Sequence, residues 1–313
     1  MDALTDLSVL VTGGSRGLGL LLARQCVERR CDVTVAARNQ QELDHAVELL
    51  RRRARDNRVT GRVCDVTDRE AVHELVERTA SQQGGLDVVL GNAGNIQVGP
   101  AEKAGTEAFR GAMETMFFGA LHTSMEALPH LRESPAGGRL GLIGSVGGLL
   151  PVPHLLPYSC AKSAIAALAE GLRAEQSEHG VSITAVHPGL MRTGSHNQVE
   201  LSGDTGKEYA WFATLAGLPG VSMDALSAAE RIVRAVEQRR TRVVLTPAAQ
   251  LGAKAYGIAP TLVTRTNELV ARVMPGPEQS DRSGRSRWQS VVSALNDRAA
   301  RRLNQNKTST QTG

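Results

Sequence analysis

Short apolar runs rich in valine, isoleucine and leucine recur along residues 7–245, and longer amphipathic stretches separate them. Runs without polar alternation are typical of strands buried on both faces of a parallel sheet, and a period near 3.6 residues predicts helices. The pattern therefore predicts a doubly wound α/β fold, with about seven parallel strands and helices on both faces. The predicted strands are Leu7–Val11, Val33–Ala37, Val59–Cys64, Leu86–Leu90, Leu140–Ile143, Val181–Val186 and Val243–Leu245, and predicted helices include Leu20–Glu28, Glu42–Arg55, Arg69–Thr79, Ser227–Arg239, Ala248–Tyr256 and Leu262–Met274.

Residues 1–274 are predicted to form one domain, within which residues 194–221 differ in composition from their surroundings. This segment is rich in glycine and polar residues, and it contains Tyr209, Trp211 and Phe212. Because it follows the sixth predicted strand, it should overhang the carboxyl edge of the sheet, where open α/β folds bind ligands. We therefore expect it to form a lid over the substrate.

Residues 275–313 form a basic C-terminal extension. They carry seven Arg and Lys against three Asp and Glu, whereas residues 1–274 carry 29 of each. An apolar repeat over residues 287–303 predicts an amphipathic helix. Three interpretations stay open: a helix packed on its own domain or on a second subunit, a basic helix in contact with a membrane surface or a partner, and disorder.

The overall composition narrows the class of protein. The chain has 313 residues, 41% of them hydrophobic, which is enough for the core of one large α/β domain. Its histidines do not pair with cysteines or carboxylates at metal-ligand spacing, so no metal site is expected. Residues 1–274 have no net charge, which gives no support for nucleic-acid binding by this part of the chain. The longest charge-free run, residues 140–161, is interrupted by glycines and prolines and is no membrane span. The four cysteines show no Cys-x-x-Cys pair and no secretory segment opens the chain, which indicates a cytoplasmic protein with reduced thiols.

A glycine-rich segment, residues 12–19, follows the first predicted strand and opens the first helix. Its glycines permit a tight turn and a close approach of the backbone to a ligand. The free N–H groups at the positive end of the helix attract a pyrophosphate. A plain glycine-rich connection is the alternative interpretation. The residues expected to bind a dinucleotide here are Gly13, Ser15, Arg16, Gly17, Leu18 and Gly19.

The end of the second predicted strand indicates which dinucleotide binds. A carboxylate at this position binds a ribose diol and repels a 2′-phosphate, but the chain has Arg38 and Asn39 instead. The guanidinium of Arg38, together with Arg16 from the glycine-rich segment, favours NADP(H) over NAD(H). A solvated cap of the next helix is the alternative role for Arg38.

Polar and small residues follow the third and fourth predicted strands at the same edge of the sheet. Asp65 and Val66 are expected to bind the cofactor, with Asp65 accepting a hydrogen bond from the adenine amine or, alternatively, serving a nearby helix cap. Asn92, Ala93 and Gly94 are expected to line the cofactor, and Asn92 is expected to support backbone geometry rather than to react.

Ser145, Tyr158 and Lys162 are the candidate catalytic residues. Tyr158 and Lys162 lie one helical turn apart, so their side chains share a face. A nearby cation favours the phenolate of a tyrosine, whose unperturbed pKa is about 10. Ser145 follows the fifth predicted strand, where its hydroxyl can hold a substrate oxygen. The trio predicts proton transfer to or from a carbonyl or alcohol oxygen, although a tyrosine and lysine at this spacing are often only a helix face.

Together these residues resemble the short-chain dehydrogenase/reductase family over roughly residues 5–250. The resemblance implies a Rossmann-like sheet, hydride transfer at the nicotinamide, and a homodimer or homotetramer. It implies that Tyr158 is the general acid/base, that Ser145 binds the substrate oxygen and that Lys162 binds the nicotinamide ribose. The motifs that carry it are Thr12–Gly19, Asp65, Asn92–Gly94, Ser145, Tyr158-x-x-x-Lys162 and Pro188-Gly189-x-x-x-Thr193, the last of which it assigns to the nicotinamide carboxamide.

One position departs from the family pattern. Members usually carry an asparagine three residues before a glycine on the fifth helix, where this chain has Met116 before Gly119. The resemblance implies that this asparagine holds a helix distortion and a water that links Lys162 to solvent. A thioether is only a weak acceptor without a donor. We expect a working enzyme in which proton resupply is slower.

Residues near the predicted reaction centre favour an apolar carbonyl or secondary alcohol as substrate. The leading interpretation is an NADP(H)-dependent oxidoreductase that interconverts ketones or aldehydes and alcohols. One alternative is a catalytically impaired cofactor-binding protein whose tail docks to a partner or membrane, and another is an epimerase or dehydratase that recycles its cofactor. The apolar residues in question are Leu149, Leu150, Leu155, Leu156, Met191, Tyr209, Trp211 and Phe212, which equally suit the packing of a lid.

Overall fold

The computed structural model describes residues 4–192, 200–201, 222–272 and 274. Seven strands form one parallel sheet, which confirms the predicted doubly wound α/β fold. The strands are β1 (Ser8–Thr12), β2 (Asp32–Ala37), β3 (Val59–Val63), β4 (Val88–Gly91), β6 (Arg139–Ile143), β7 (Ser182–His187) and β11 (Arg242–Val244). Two short parallel pairs lie outside it, β5 (Gln97–Val98) with β9 (Glu200–Leu201) and β8 (Leu190–Arg192) with β10 (Ser222–Asp224).

Helices cover both faces of the sheet. On one face α1 (Gly17–Glu28), α2 (Gln40–Arg51) and α7 (Ala225–Glu237) share a hydrophobic core with the strands. On the other face the core is shared with α3 (Arg69–Gln83), α5 (Gly119–Glu133) and α6 (Leu156–Glu175). The remaining α-helices among the described residues are α4 (Ala101–Ala112), α8 (Pro247–Ile258) and α9 (Pro260–Arg272). None of the described helices is both long and apolar enough to cross a membrane.

Helix boundaries differ from the predicted ones because capping residues, rather than apolar periodicity, set them. Asn39 caps α2 by accepting from the N–H of Glu42 at 3.0 Å, so this helix begins at Gln40. Asp68 caps α3, which continues to Gln83 and ends where Gly84 adopts the left-handed conformation with φ of 78°.

The order of strands in the sheet is β11-β7-β6-β4-β1-β2-β3, so the direction of winding reverses beside β1. β1 pairs in parallel with β2 on one side and with β4 on the other. The loops that follow β1 and β4 therefore diverge at the carboxyl edge and leave a crevice, which is where doubly wound sheets bind ligands. The predicted lid, apart from residues 200–201, and the basic extension lie outside the described residues.

Candidate active site

The loop between β1 and α1 depends on glycine at three positions. Gly13 and Gly17 have φ of 63° and 54°, which side chains rarely tolerate. A Cβ atom at Gly19 would lie 2.0 Å from the carbonyl oxygen of Gly13, so the loop folds tightly on the first turn of the helix. The N–H of Gly14 donates to Ala36 at 3.1 Å, which ties the loop to the end of β2.

The first turn of α1 is open to a ligand. Arg16 precedes the helix in an extended conformation and provides no side-chain cap, in contrast to Asn39 at α2 and Asp68 at α3. The N–H groups of the first turn therefore lack the side-chain partner that a cap supplies. These donors, at the positive end of the helix dipole, fit a dinucleotide pyrophosphate.

Asn92 holds the glycine loop from the neighbouring strand. Its amide donates to the carbonyl oxygens of Thr12 and Gly13 at 3.3 and 3.1 Å, and its own N–H donates to the Thr12 hydroxyl at 3.1 Å. Ala93 packs against Gly13, where an added Cβ would lie 2.8 Å from the Ala93 Cα. The side chain of Asn92 is thus used for loop geometry.

Two arginines lie near the end of β2, and each faces a carboxylate. Arg16 pairs with Glu42 on α2 at 3.0 Å, and the same carboxylate accepts from the Ser15 hydroxyl at 3.3 Å. Arg38 is more exposed and lies 3.9 Å from Asp65. Sequence reasoning overlooked Glu42, although the Asn39-x-x-Glu42 spacing resembles a capping box and places that side chain beside the loop.

Asp65 and Val66 follow β3 at the same edge. One oxygen of Asp65 accepts from the N–H and hydroxyl of Thr67 at 3.0 and 2.9 Å, which forms a tight local turn. The other oxygen faces Arg38. Val66 is buried, and its side chain packs against Gly119 at the start of α5.

Ser145, Tyr158 and Lys162 come together between β6 and α6. Ser145 lies two residues beyond β6 and accepts from the N–H of Gly147 at 3.1 Å, which starts a single 3₁₀ turn. This turn packs closely on the backbone of α6, since a Cβ at Gly148 would lie 2.5 Å from the carbonyl of Lys162. The packing brings the Ser145 side chain into a hydrogen bond with the phenol of Tyr158. The Lys162 ammonium lies 5.7 Å from the Tyr158 ring centre.

Burial is the largest influence on the pKa values of Lys162 and Tyr158. It lowers the pKa of Lys162 to about 8, while the ammonium donates to the carbonyl oxygen of Ile143 at 2.6 Å. Burial also raises the pKa of Tyr158, and the hydrogen bond from Ser145 opposes that rise. The pKa of Tyr158 is thus raised and not lowered as expected, because burial is the larger of these two effects. Tyr158 is a neutral phenol at physiological pH.

Met116 lies behind Lys162 in a π-helical turn, Met113–Phe118, that joins α4 to α5. Its side chain is fully buried, and a Cβ at Gly94 would lie 3.0 Å from Met116 Cγ and 3.8 Å from Lys162 Nζ. The helix distortion expected at this position is present without an asparagine, since π turns form through backbone geometry. At this position, however, the thioether of Met116 replaces the asparagine amide that is usual in the family.

Pro188 and Gly189 follow β7, the strand that pairs with β6. The carbonyl oxygen of Pro188 accepts from the N–H of Val146 at 2.9 Å, which joins this segment to the serine turn. A Cβ at Gly189 would lie 2.3 Å from the hydroxyl of Thr246, so only glycine fits there. Thr193, the last residue of the motif, lies outside the described residues.

His187, at the end of β7, is a further buried group that sequence reasoning overlooked. It has no exposed surface, and burial lowers its pKa to about 4, so the imidazole is neutral. A Cβ at Gly144 would lie 2.9 Å from its Nδ1 atom, which places the ring against the residue between β6 and Ser145. Its position directly before Pro188 and Gly189 is the sequence signal that could have identified it.

Known proteins resemble the chain in sequence and in structure. Residues 8–202 match the short chain dehydrogenase family model. A tropinone reductase homolog from Arabidopsis thaliana, described as chloroplastic, is 33% identical over 198 residues, which cover 63% of this chain and 61% of that protein. The chain thus matches less than two thirds of the length of this relative.

Solved structures share the fold over a greater length. A short-chain dehydrogenase from Streptomyces avermitilis is 27% identical, with a TM-score of 0.71 over 87% of this chain and 99% of that one. A short chain dehydrogenase from Mycobacterium paratuberculosis bound to NAD is 22% identical, with a TM-score of 0.70 over 79% of this chain and 99% of that one. The family match spans more than half of the chain and includes the glycine loop and the Ser145, Tyr158 and Lys162 trio. The chain therefore belongs to the short-chain dehydrogenase/reductase family.

Proposed function

We propose that the protein is an NADP(H)-dependent oxidoreductase that interconverts a ketone or aldehyde and the corresponding alcohol, with Tyr158 as general acid/base. Members of its family use NAD or NADP. The observation that carries the proposal is the hydrogen bond between Ser145 and a neutral Tyr158 phenol, with Lys162 beside them. This group lies at the same sheet edge as the open first turn of α1, so one ligand can reach both.

Each residue of the trio has a distinct task in the proposed reaction. The bound dinucleotide supplies or accepts the hydride. Ser145 donates a hydrogen bond to the carbonyl oxygen and orients it toward the phenol. Tyr158 gives its proton to that oxygen as negative charge develops, a step for which general acids contribute about 10²–10⁴-fold in rate. Lys162 would hydrogen-bond a ribose hydroxyl of the dinucleotide, and the two ammonium donors that Ile143 does not use support this role.

The protonation states favour carbonyl reduction near neutral pH. Reduction requires the phenol form of Tyr158, and the raised pKa keeps that form populated. Alcohol oxidation requires the phenolate, so we expect its rate to increase as the pH rises. Lys162 loses its charge above about pH 8. The reductive rate is therefore expected to fall in alkaline buffer, as the cation that steadies the developing phenolate disappears.

The preference for NADP(H) rests on the two guanidiniums at the end of β2. Arg38 is largely exposed and meets Asp65 only at 3.9 Å, which leaves it free to bind a 2′-phosphate. Comparison of kcat/KM for NADPH and NADH tests this, with Arg38→Gln as the variant. Arg55→Gln, at an exposed site beyond the end of α2, is the matched control. Equal use of both cofactors by the unmodified protein would refute the preference.

An apolar substrate is favoured by the residues that follow the serine turn. Leu149 and Leu150 leave this turn half-buried, and Leu155 and Leu156 open the helix that carries Tyr158. Met191, in β8, is half-buried at the same edge. The aromatic residues of the proposed lid lie outside the described residues. A substrate panel that favoured polyols or charged keto acids would overturn this choice.

Two exposed apolar side chains at α5 support the proposed homodimer or homotetramer. Phe118 and Met125 lie at and beyond the start of α5 and are 36% and 42% exposed. The family generally forms oligomers. Sedimentation equilibrium of the purified chain distinguishes these states, and a monomeric mass would contradict the proposal.

The central experiment follows NADPH oxidation with a panel of apolar ketones. Tyr158→Phe is expected to reduce turnover by at least about 10²-fold, while binding of NADPH, followed by its fluorescence, is retained. Tyr256→Phe, on α8, is the control for loss of a phenol. Cofactor binding without net consumption for any carbonyl would refute the proposed reaction. It would instead favour an impaired cofactor-binding protein or an enzyme that recycles its cofactor.

A further inference from the structure

The last two described helices form a hairpin that is attached to the body by few contacts. α8 buries only Ala249, and none of the 13 residues of α9 is buried. The hairpin meets the body at the loop that follows the serine turn. Asn267 donates to the carbonyl oxygen of Pro151 at 2.8 Å, and a Cβ at Gly252 would lie 3.3 Å from Leu150.

Each helix of the hairpin exposes large apolar side chains to solvent. Leu251 and Ile258, on α8, are 72% and 86% exposed, and Leu262 and Leu269, on α9, are 67% and 60% exposed. Within each pair the residues are seven apart, so they share one face of their helix. On α9 that face lies opposite Asn267, which binds the body. We call these four residues, with the basic residues between them, the outer face.

One basic residue lies between the two apolar residues of each helix. Lys254 is three residues after Leu251, and Arg265 is three residues after Leu262, so both share the apolar face. Both side chains are exposed. In a dry protein interface these cations would lose their hydration, which is costly unless the partner supplies carboxylates. At a lipid surface their long stems lie along the apolar region while the charges reach the phosphates.

The charge of the surrounding chain favours a negatively charged occupant. Residues 247–313 carry ten Arg and Lys against four Asp and Glu, whereas residues 1–246 carry 26 against 28. The basic extension or a second copy of the outer face would bring like charges together. Anionic lipids supply the opposite charge, with about 1 kcal/mol of attraction for each Lys or Arg near the surface.

We infer that the outer face docks peripherally on an anionic lipid bilayer. Leu251, Ile258, Leu262 and Leu269 enter the boundary between headgroups and acyl chains, and Lys254 and Arg265 bind the phosphates. In this position the hairpin lies between the bilayer and the loop at Pro151. The inference does not rest on the proposed function.

The test is co-flotation of the full chain with vesicles of equimolar phosphatidylcholine and phosphatidylglycerol, with phosphatidylcholine alone for comparison. The chain is expected to float with the anionic vesicles and to be released by high salt. Leu262→Asp is expected to weaken binding at least about tenfold, because a leucine leaves the lipid. Thr264→Asp adds the same charge to an exposed site on another side of α9 and is expected to bind more tightly than Leu262→Asp.

Three results would overturn the inference. The first is that the full chain does not float with anionic vesicles at low salt. The second is that Leu262→Asp floats as well as the unmodified chain, which assigns binding to the extension. The third is that the unmodified chain does not bind vesicles and Leu262→Asp has a lower mass than the unmodified chain in sedimentation equilibrium. This result would show that the outer face binds a second copy of the chain. Because flotation requires no turnover, failure of the proposed reaction leaves the result interpretable.

Discussion

Replacement of Lys162 by methionine tests the burial of its charge through the pH dependence of folding. Lys162 is 5% exposed, and its pKa lies at about 8 against an ordinary value of 10.5. Below pH 8 both the folded and the unfolded chain bind the proton, so Lys162 contributes no pH dependence. Between about pH 8 and 10.5 only the unfolded chain binds it, and rising pH then favours the folded state. Above 10.5 neither state binds it.

The magnitude follows from the difference between these two pKa values. One pKa unit corresponds to about 1.4 kcal/mol, so the unmodified protein gains about 3 kcal/mol relative to Lys162→Met between pH 7 and pH 10.5. The hydrogen bond to Ile143 is also lost in the variant. Both the charged and the neutral amine can donate it, so its loss shifts the whole difference curve more than it alters its slope.

The assay is urea unfolding of both proteins across this pH range at one protein concentration. Repeating both unfolding series in a Tyr158→Phe background removes the titration of the neighbouring phenol. Lys254→Met, at an exposed site on α8, is the control for loss of one positive charge. If the free energy of unfolding changes equally with pH for the unmodified protein and Lys162→Met between pH 7 and 10.5, the inference that burial lowers the pKa of Lys162 is refuted.

Three further substitutions test the cofactor loop and the proton path. Gly19→Ala should abolish dinucleotide binding, measured by titration of NADPH fluorescence, because its Cβ would meet the Gly13 carbonyl at 2.0 Å. The control Gly171→Ala has open space around it and should stabilise α6 by about 1 kcal/mol, measured by thermal unfolding. Glu42→Gln should lower the KM for NADPH more than for NADH, since it releases Arg16 for the 2′-phosphate, and equal changes for both cofactors would contradict this. Met116→Asn should raise turnover a few-fold by restoring an amide behind Lys162, and unchanged turnover at every pH would show that proton resupply is not limiting.

The sequence alone was sufficient for the sheet and for the neighbourhood of the site. Continuous apolar strands that alternate with amphipathic helices leave a parallel sheet as the arrangement that buries both faces. All parallel strands end at the same edge, so the segments after β1, β4, β6 and β7 must meet there. The sequence therefore assigns the glycine loop, Asn92, Ser145 and Pro188 to one crevice.

Only the tertiary structure decided the charges and contacts within that crevice. The low pKa of Lys162 depends on how completely neighbouring helices exclude water, which local sequence does not specify. The pairing of Arg16 with Glu42 joins residues 26 apart in the chain, across the packing of α1 and α2. The turn at Met116 is π-helical without the expected asparagine. The apolar periodicity of α8 and α9 was visible in the sequence, but only the path of the chain shows that it faces outward, because periodicity identifies a face and not what covers it.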